Sequence, residues 1–363
     1  MIVRVFLSVI SLGLLSAQIK SIGQGELKGS AQAVVVTGAH LAHTAQFVGT
    51  DTASVLRQVD QALQKAGSSL DKAVKLNIVV ADESVTAKVE QALAKRYPTA
   101  SKAPAASLVA GALPGQGATL AIDAIGVTSR TTKRNSQVAV LPSGPRAYIS
   151  GQSANGTLEK ATRETLDKLK TNLEFLGLSL SDVIQVKSFV DPVASVPQVR
   201  RWIDEYFGPQ PPPQVFVEWT SKGRIEIELI AAMPSKAVPS EGVEHLWPPD
   251  EKPSPVFCRM VRLSSPTTIY TSGLFGAEGS ADKQIRDIFR SLDTILRETS
   301  GDLRHLAKAT YYVADDEASR KLNEIRPAFY DPKHPPAASK AGVKATGRTR
   351  RTVTLDIIAV PVR

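Results

Sequence analysis

The chain has 363 residues, of which 42% are hydrophobic and 22% charged, and its 44 Lys and Arg against 35 Asp and Glu leave a formal charge of +9. That composition excludes a disordered, collagen-like or coiled-coil chain, and the length calls for two or three domains. Cys258 is the single cysteine, which excludes an internal disulfide and any multi-cysteine metal cluster.

The first residues, MIVRVFLSVISLGLLSA, place Arg4 before an apolar run from Val5 to Leu15, followed by the small residues Ser16 and Ala17. The run is too short to span a bilayer, which takes about 20 apolar residues, and it has the form of a secretory leader, although Leu15 fits poorly at −3 to a cut after Ala17. Residues 1–22 are therefore read as a signal peptide. The mature chain is expected to be exported, periplasmic or extracellular, with no membrane association after cleavage.

Further along, one pattern occurs three times. GSSLDKAVKLNIVVAD from Gly67, GLSLSDVIQVKSFVDP from Gly177 and GDLRHLAKATYYVADD from Gly301 each follow an amphipathic stretch and run into an apolar strand ending at Asp. A second helical stretch comes next, then a Pro-containing segment before a strand: APAASLVA at 103–110, PPPQVFVE at 211–218 and PPAASKAG at 335–342. Each copy closes on an apolar strand with an acid at its centre, LAIDAIG, IEIELIA and LDIIAV. Three landmarks kept in one order mark an internal repeat. The polar segment 129–136 and the proline-rich segment 235–256 separate the copies, giving repeats at 31–128 (the most degraded), 137–234 and 254–363.

The middle copy shows the local physics. QVAVLP and RAYISG alternate β-branched residues around Ser-Gly-Pro and read as a hairpin. Thr157 after Asn155-Gly156 offers a helix N-cap, and Leu158, Ala161, Thr165, Leu169, Leu173 and Leu176 share one face up to Gly177, where a C-cap belongs. A strand, a second helix and two closing strands complete an order ββαβαββ. The fold class is α+β: three tandem units, each with helices on one face of a mixed sheet.

These landmarks, AYISGQ at 147–152, a helix ending NLEFLG, VIQVKSFV, WIDEYF and PPPQVFVEW through RIEIELIAA, resemble the Rid family, also called YjgF/YER057c/UK114. IYTSGLFG at 269–276, LNEIRPAFY at 322–330 and PPAAS at 335–339 repeat the likeness in the third copy. The resemblance implies a chorismate-mutase-like domain that trimerises with a ligand cleft at each interface. It also implies that three copies in one chain close on themselves as a monomeric pseudo-trimer.

Family deaminases hydrolyse enamines and imines such as 2-aminoacrylate, using an arginine in a Pro-Ala-Arg-Ser-like motif whose planar fork grips the substrate carboxylate. By the same alignment Ala106, Gln214 and Ala338 stand at the arginine position, so the catalytic residue is unknown. The strand acids persist as Asp123, Glu228 and Asp356, with a proton-transfer reading and a structural one both open. The resemblance assigns the ligand clefts to Tyr148, Gly151, Gln214, Glu228, Tyr270, Gly273, Asn323 and Asp356. His43 takes the tyrosine position in the first copy, and Glu90 and Arg200 the asparagine position in the first and second. Arg348, Arg350 and Arg351, on what reads as a hairpin, and Arg224 are the candidates to replace the lost arginine.

Other signals are weaker. His40 and His43 lack a third metal ligand, LPGQGATL at 113–120 reads as a hairpin turn without the Lys-Ser/Thr of a phosphate loop, and Cys258 reads as core. The positive charge is split between 129–136 and 345–351, so no nucleic-acid face is implied. No cofactor or metal is expected. The reading is an exported binding protein for a small metabolite, such as a 2-oxo or imino acid, with little or no deaminase activity. The alternatives are an enamine/imine deaminase with a non-standard site and, as a minor one, an endoribonuclease-like activity.

Overall fold

The computed structural model describes residues 17–131, 134–234 and 242–362. Most of the expected signal peptide and parts of both linkers lie outside them. The first described strand, β1 (Gln18–Gln24), pairs antiparallel with β2, so the fold takes in Gln18 to Ile22 from within the expected leader. Its mostly polar and exposed residues suit an edge strand. Among the described residues no helix is long and apolar enough to cross a membrane.

Repeat 1 contains β2 (Ala31–Thr37), β3 (His40–Thr44), the short β4 (Phe47–Gly49), α1 (Thr52–Lys65), β5 (Ala73–Val80), α2 (Thr86–Arg96), β6 (Ala105–Ala110) and β7 (Leu120–Thr128). Repeat 2 has β8 (Val138–Leu141), β9 (Arg146–Ser153), α3 (Leu158–Phe175), β10 (Val183–Val190), α4 (Val196–Phe207), β11 (Gln214–Glu218) and β12 (Ile225–Ala232). After a linker strand β13 (Val243–Leu246), repeat 3 follows with β14 (Met260–Leu263), β15 (Thr267–Thr271), α5 (Ala281–Glu298), β16 (Gly301–Val313), α6 (Asp316–Ile325), β17 (Ala337–Gly342) and β18 (Val353–Pro361). The expected ββαβαββ order is present in each, with β4 added in the first.

Caps explain the helix limits. In α3 the Thr157 side chain accepts from the Lys160 amide, and Gly177, at φ +71°, takes the left-handed position after the last turn. Asp51 and Ser280 cap α1 and α5 in the same way.

Each repeat forms a four-stranded sheet with its long central strand parallel to one neighbour and antiparallel to the other: β6-β5-β7-β3, β11-β10-β12-β9 and β17-β16-β18-β15. The central strand therefore separates the last two strands. For that reason the segments 113–120 and 345–351 are crossover loops, not the hairpins expected from their turn residues. The opening strands also differ from expectation. Among the described pairings β8 does not bond to β9; it extends the sheet of repeat 1 beside β3. In the same way β14 extends repeat 2 beside β9, and β2 extends repeat 3 beside β15. A Ser-Gly-Pro turn brings the chain round, but the first strand finds its hydrogen bonds on the neighbouring repeat.

Strand alternation divides the core into layers. In β12, Ile225, Ile227, Leu229 and Ala231 face α3 and α4 in one apolar cluster. Between them Glu226, Glu228 and Ile230 point the other way. Val353, Leu355, Ile357 and Ala359 pack likewise against α5 and α6, leaving Thr354, Asp356 and Ile358 on the inner side of β18. The three inner faces meet in the middle of the molecule, where Ile125, Ile230 and Ile358, one from each repeat, line the same small cavity.

Candidate functional site

Two kinds of polar place arise where the repeats meet: a buried centre and three clefts around it.

Asp123, Glu228 and Asp356 all lie at the centre. Register places them directly across from Asn77, Lys187 and Thr310. Lys75 crosses from repeat 1 to repeat 3, its ammonium 2.7 Å from Asp356 Oδ1, 2.6 Å from Ser107 Oγ and 2.6 Å from the Thr271 carbonyl. Lys308 crosses from repeat 3 to repeat 2 to meet Glu228 Oε1 at 2.7 Å. At the corresponding place in repeat 2, Gln185 donates to the Thr44 carbonyl of repeat 1. Lys187 donates to the Tyr312 hydroxyl and stands 4.0 Å from Glu228. Three cations, Lys75, Lys187 and Lys308, thus face Glu228 and Asp356 in a cavity of about 30 Å³, room for one or two waters, while Asp123 lines a smaller cavity beside it with Asn77 and Lys187.

The titration of these groups follows from their partners. Burial pushes the Asp356 carboxyl up, but the charges of Lys75 and Lys187 and the Lys75 hydrogen bond hold it below the usual range. Glu228 is pushed up by burial and brought down further by Lys308, Lys187 and Ser339. Asp123, bonded only to the Asn77 amide at 2.8 Å, is raised by burial to about 6. These acids are held in pairs inside the molecule.

Tyr148 and Tyr270, expected to flank a cleft, are each 1% exposed and sit in the interior. Tyr270 lines the central cavity. Their strands, β9 and β15, alternate between the helix-facing cluster and the inner face, and both tyrosines fall on the inner face. His43, the matching residue of repeat 1, is buried too; desolvation lowers it to about 4, with Arg146 adding to the shift.

The clefts lie where the opening strands of one repeat approach the penultimate strand of the next. Between repeats 2 and 3, Ser150 Oγ accepts from the Ala338 amide at 2.7 Å. Between repeats 3 and 1, Ser272 Oγ accepts from the Ala106 amide at 2.7 Å and the Gly273 amide donates to the Ala106 carbonyl. Between repeats 1 and 2, Gln46 holds the place that glycine has in the other two; its amide N–H donates to the Gln214 carbonyl, and its side-chain oxygen accepts from the Phe216 amide. All three positions aligned with the family's arginine therefore sit where two repeats meet, two of them occupied by alanine, which has no side-chain donor. Gln214 is turned to Asp204, 2.6 Å away.

The three clefts are not alike. The one between repeats 2 and 3 holds a cavity of about 520 Å³ lined by Gly151, Glu226, Phe257, Asn323, Arg326, Ala338 and Lys340, among others. Gly151 lets these walls approach closely: a β-carbon there would stand 2.0 Å from Glu226 Oε1 and 2.6 Å from Ser339 Oγ, and both side chains would have to shift. Beside Gly273, between repeats 3 and 1, a cavity of about 240 Å³ is lined by Gln24, Glu26, Gln32 and Ser272. Next to it, Arg348 reaches across to Glu90, the asparagine-position residue of repeat 1, at 2.7 Å. Of the candidate replacement arginines, Arg348 alone meets an asparagine-position residue: Arg350 and Arg351 pair with Glu278, and Arg224 with Asp191 on the surface. Arg200, at the asparagine position of repeat 2, lies over the Phe216 ring, 4.8 Å from its centroid. Cys258 is buried, its thiol pushed up by desolvation, as a core residue would be.

A family model described as Endoribonuclease L-PSP matches three times, at residues 30–128, 121–233 and 256–361. The chain belongs to the Rid (YjgF/YER057c/UK114) family. Among similar proteins, a RutC family protein from Pyrococcus horikoshii is 31% identical over 110 residues, 30% of this chain and 87% of the relative. One from Pyrococcus abyssi is 28% identical over 110 residues, again 30% of this chain and 87% of the relative. A solved YjgF-family structure from Neisseria meningitidis is 20% identical with a TM-score of 0.26, covering 33% of this chain and 96% of that one. RidA from the Antarctic bacterium Psychrobacter is 24% identical with a TM-score of 0.24, covering 26% and 80%.

Of the expected ligand set, Gly151 and Asn323 line the larger cavity and Gly273 the smaller. Glu228 and Asp356 belong to the central cavity, and Glu228 also accepts from Ser339, beside Ala338, at 2.6 Å. The Rid alignment did not single out Arg326, Lys340 or Glu226. A signal for two of them existed: Lys340 and Glu226 each lie two positions from an aligned site residue, Ala338 and Glu228, and side chains two apart on a strand share a face.

Proposed function

We propose that this chain is an exported small-metabolite-binding protein, built as a monomeric pseudo-trimer of Rid repeats, with little or no imine or enamine deaminase activity. One observation carries the reading: the cleft of about 520 Å³ is open, yet alanine occupies the place of the family's arginine at its wall. A deaminase needs a fixed cation on the substrate carboxylate and a proton donor free to serve the leaving nitrogen. Ala338 supplies no cation, and Glu228, the nearest strand acid, is committed to Lys308 and Ser339. The pairings β3–β8, β9–β14 and β15–β2, which join repeats 1 to 2, 2 to 3 and 3 to 1, support the pseudo-trimer. Export is supported by the apolar run from Val5 to Leu15, followed by the small residues Ser16 and Ala17.

The deaminase alternative is favoured only by Arg348, which reaches a cleft but already spends its guanidinium on Glu90 and the Glu26 carbonyl. An endoribonuclease reading has the family description behind it and no arrangement of residues. The test is hydrolysis of freshly generated 2-aminoacrylate by the purified mature chain. A rate equal to buffer is expected; acceleration typical of a deaminase refutes the binding-protein reading.

A further inference from the structure

Arg326 and Lys340 enter the cavity between repeats 2 and 3 from different elements. Arg326 follows the last turn of α6 and Lys340 lies in β17. Arg326 is only 5% exposed; its guanidinium lies 4.8 Å from the Tyr311 ring centroid and donates to Asn323 Oδ1 at 3.0 Å, while its Nε is buried without a partner. The Lys340 ammonium donates to Ser319 Oγ at 2.9 Å. Both partners are neutral, and neither cation forms an ion pair among the described residues. The two sense each other: burial and then the Arg326 charge pull Lys340 below its usual range.

The remaining acid in the cavity does not neutralise them. Desolvation, and then repulsion from Glu228, raise Glu226 to about 8, so it keeps its proton at neutral pH and is a hydrogen-bond donor there. Phe257 forms an apolar wall, held by the Arg259 guanidinium 5.3 Å from its centroid, and Arg259 is itself fixed by Glu251 at 2.7 Å. Two partly desolvated positive charges without counterions are costly unless an anion joins them.

Building on the metabolite-binding reading, we propose that this cleft binds a small dicarboxylate, one carboxylate forked by Arg326 and the other resting on the Lys340 ammonium. A planar guanidinium matches a carboxylate bidentately, and an ammonium acts as a point charge. A single-carboxylate ligand satisfies one cation and leaves the other bare. The neighbouring clefts lack this pair: Leu108 and Phe216 stand where Lys340 does, and Leu93 and Ile203 where Arg326 does.

The test is calorimetric titration of the full mature chain with glutarate and 2-oxoglutarate, against butyrate and inorganic phosphate. The dicarboxylates are expected to bind at least tenfold more tightly than butyrate or phosphate. Lys340→Met should erase that preference, bringing glutarate down to the level of butyrate, while Arg326→Gln weakens both by tenfold or more. Arg297→Gln, at an exposed position of α5, should change neither. Because Arg326 also packs on Tyr311, its variant is checked by circular dichroism, and Lys340→Met carries the test if Arg326→Gln fails to fold. Equal affinity for glutarate and butyrate in the parent chain, tighter phosphate binding, or a preference that survives Lys340→Met overturns the proposal. Each of those results leaves the 2-aminoacrylate outcome, and with it the reading of the protein as non-catalytic, untouched.

Discussion

Replacing Asp356 by alanine strands the Lys75 ammonium in the interior. Side-chain exposures are 3% for Lys75 and 12% for Asp356, and they meet at 2.7 Å. Ser107 and Thr271 keep two of the three ammonium hydrogens bonded, but the charge loses its counterion in a low-dielectric setting. Removing one partner of a buried pair costs about 3–5 kcal/mol, a large share of the ~5–15 kcal/mol that holds a typical protein folded. The assay is urea unfolding of the purified chain, followed by far-ultraviolet circular dichroism. Asp293→Ala serves as the reference, since Asp293 pairs with Arg297 at 2.9 Å where the arginine is 76% exposed, and such surface pairs contribute ~1 kcal/mol or less. The double variant Lys75→Met, Asp356→Leu removes both charges and should recover most of the loss. A loss from Asp356→Ala no greater than that from Asp293→Ala would refute the reasoning, because Lys75 would then be solvated and repeats 1 and 3 would not meet through it.

Two other outcomes are expected. Glu226 binds its proton more tightly when folded, with a pKa near 8 against an ordinary 4.5, so between those values the folded state holds a proton that the unfolded state has released. Stability should therefore fall as pH rises through that window, by up to about 1.4 kcal/mol per pH unit; Glu226→Gln should flatten this slope in melting curves, and an unchanged slope refutes the assignment. Light scattering on the eluting peak should give the mass of one chain, and a mass near three chains would favour trimerisation between molecules.

Element order and helix ends were legible because they depend on local signals. The Thr157 cap, the spacing of Leu169 and Leu173, and Gly177 act within a few residues of where they stand. Strand partnership was less legible. Val138–Leu141 alternates as a hairpin strand does, and nothing in its own residues says that its hydrogen bonds go to His40–Thr44. The same limit applied to the acids. Asp123, Glu228 and Asp356 could be found by alignment, but the commitment of Glu228 and Asp356 to a buried centre depends on Lys308 and Lys75, which reach them from other repeats. Tyr148 and Tyr270 were assigned to clefts by resemblance, whereas the packing of three inner faces against one another draws them inside. In the open cleft, aligning against an arginine motif directed notice to what Ala338 lacks and away from Lys340, two residues further along the same strand.

The strand exchange among repeats has one more consequence. In a symmetric trimer of identical chains every substitution is made in three places at once, so a residue that suits one cleft is imposed on the other two. Here each cleft has its own walls written separately in the sequence: Gln46 fills one, Arg348 and Glu90 meet beside the second, and Arg326 and Lys340 stand open in the third. A change at Lys340 alters the walls of one cleft and leaves two untouched, so its cost is confined to one third of the molecule. The single chain thus allows the three interfaces to diverge, the walls of one changing while those of the other two are kept.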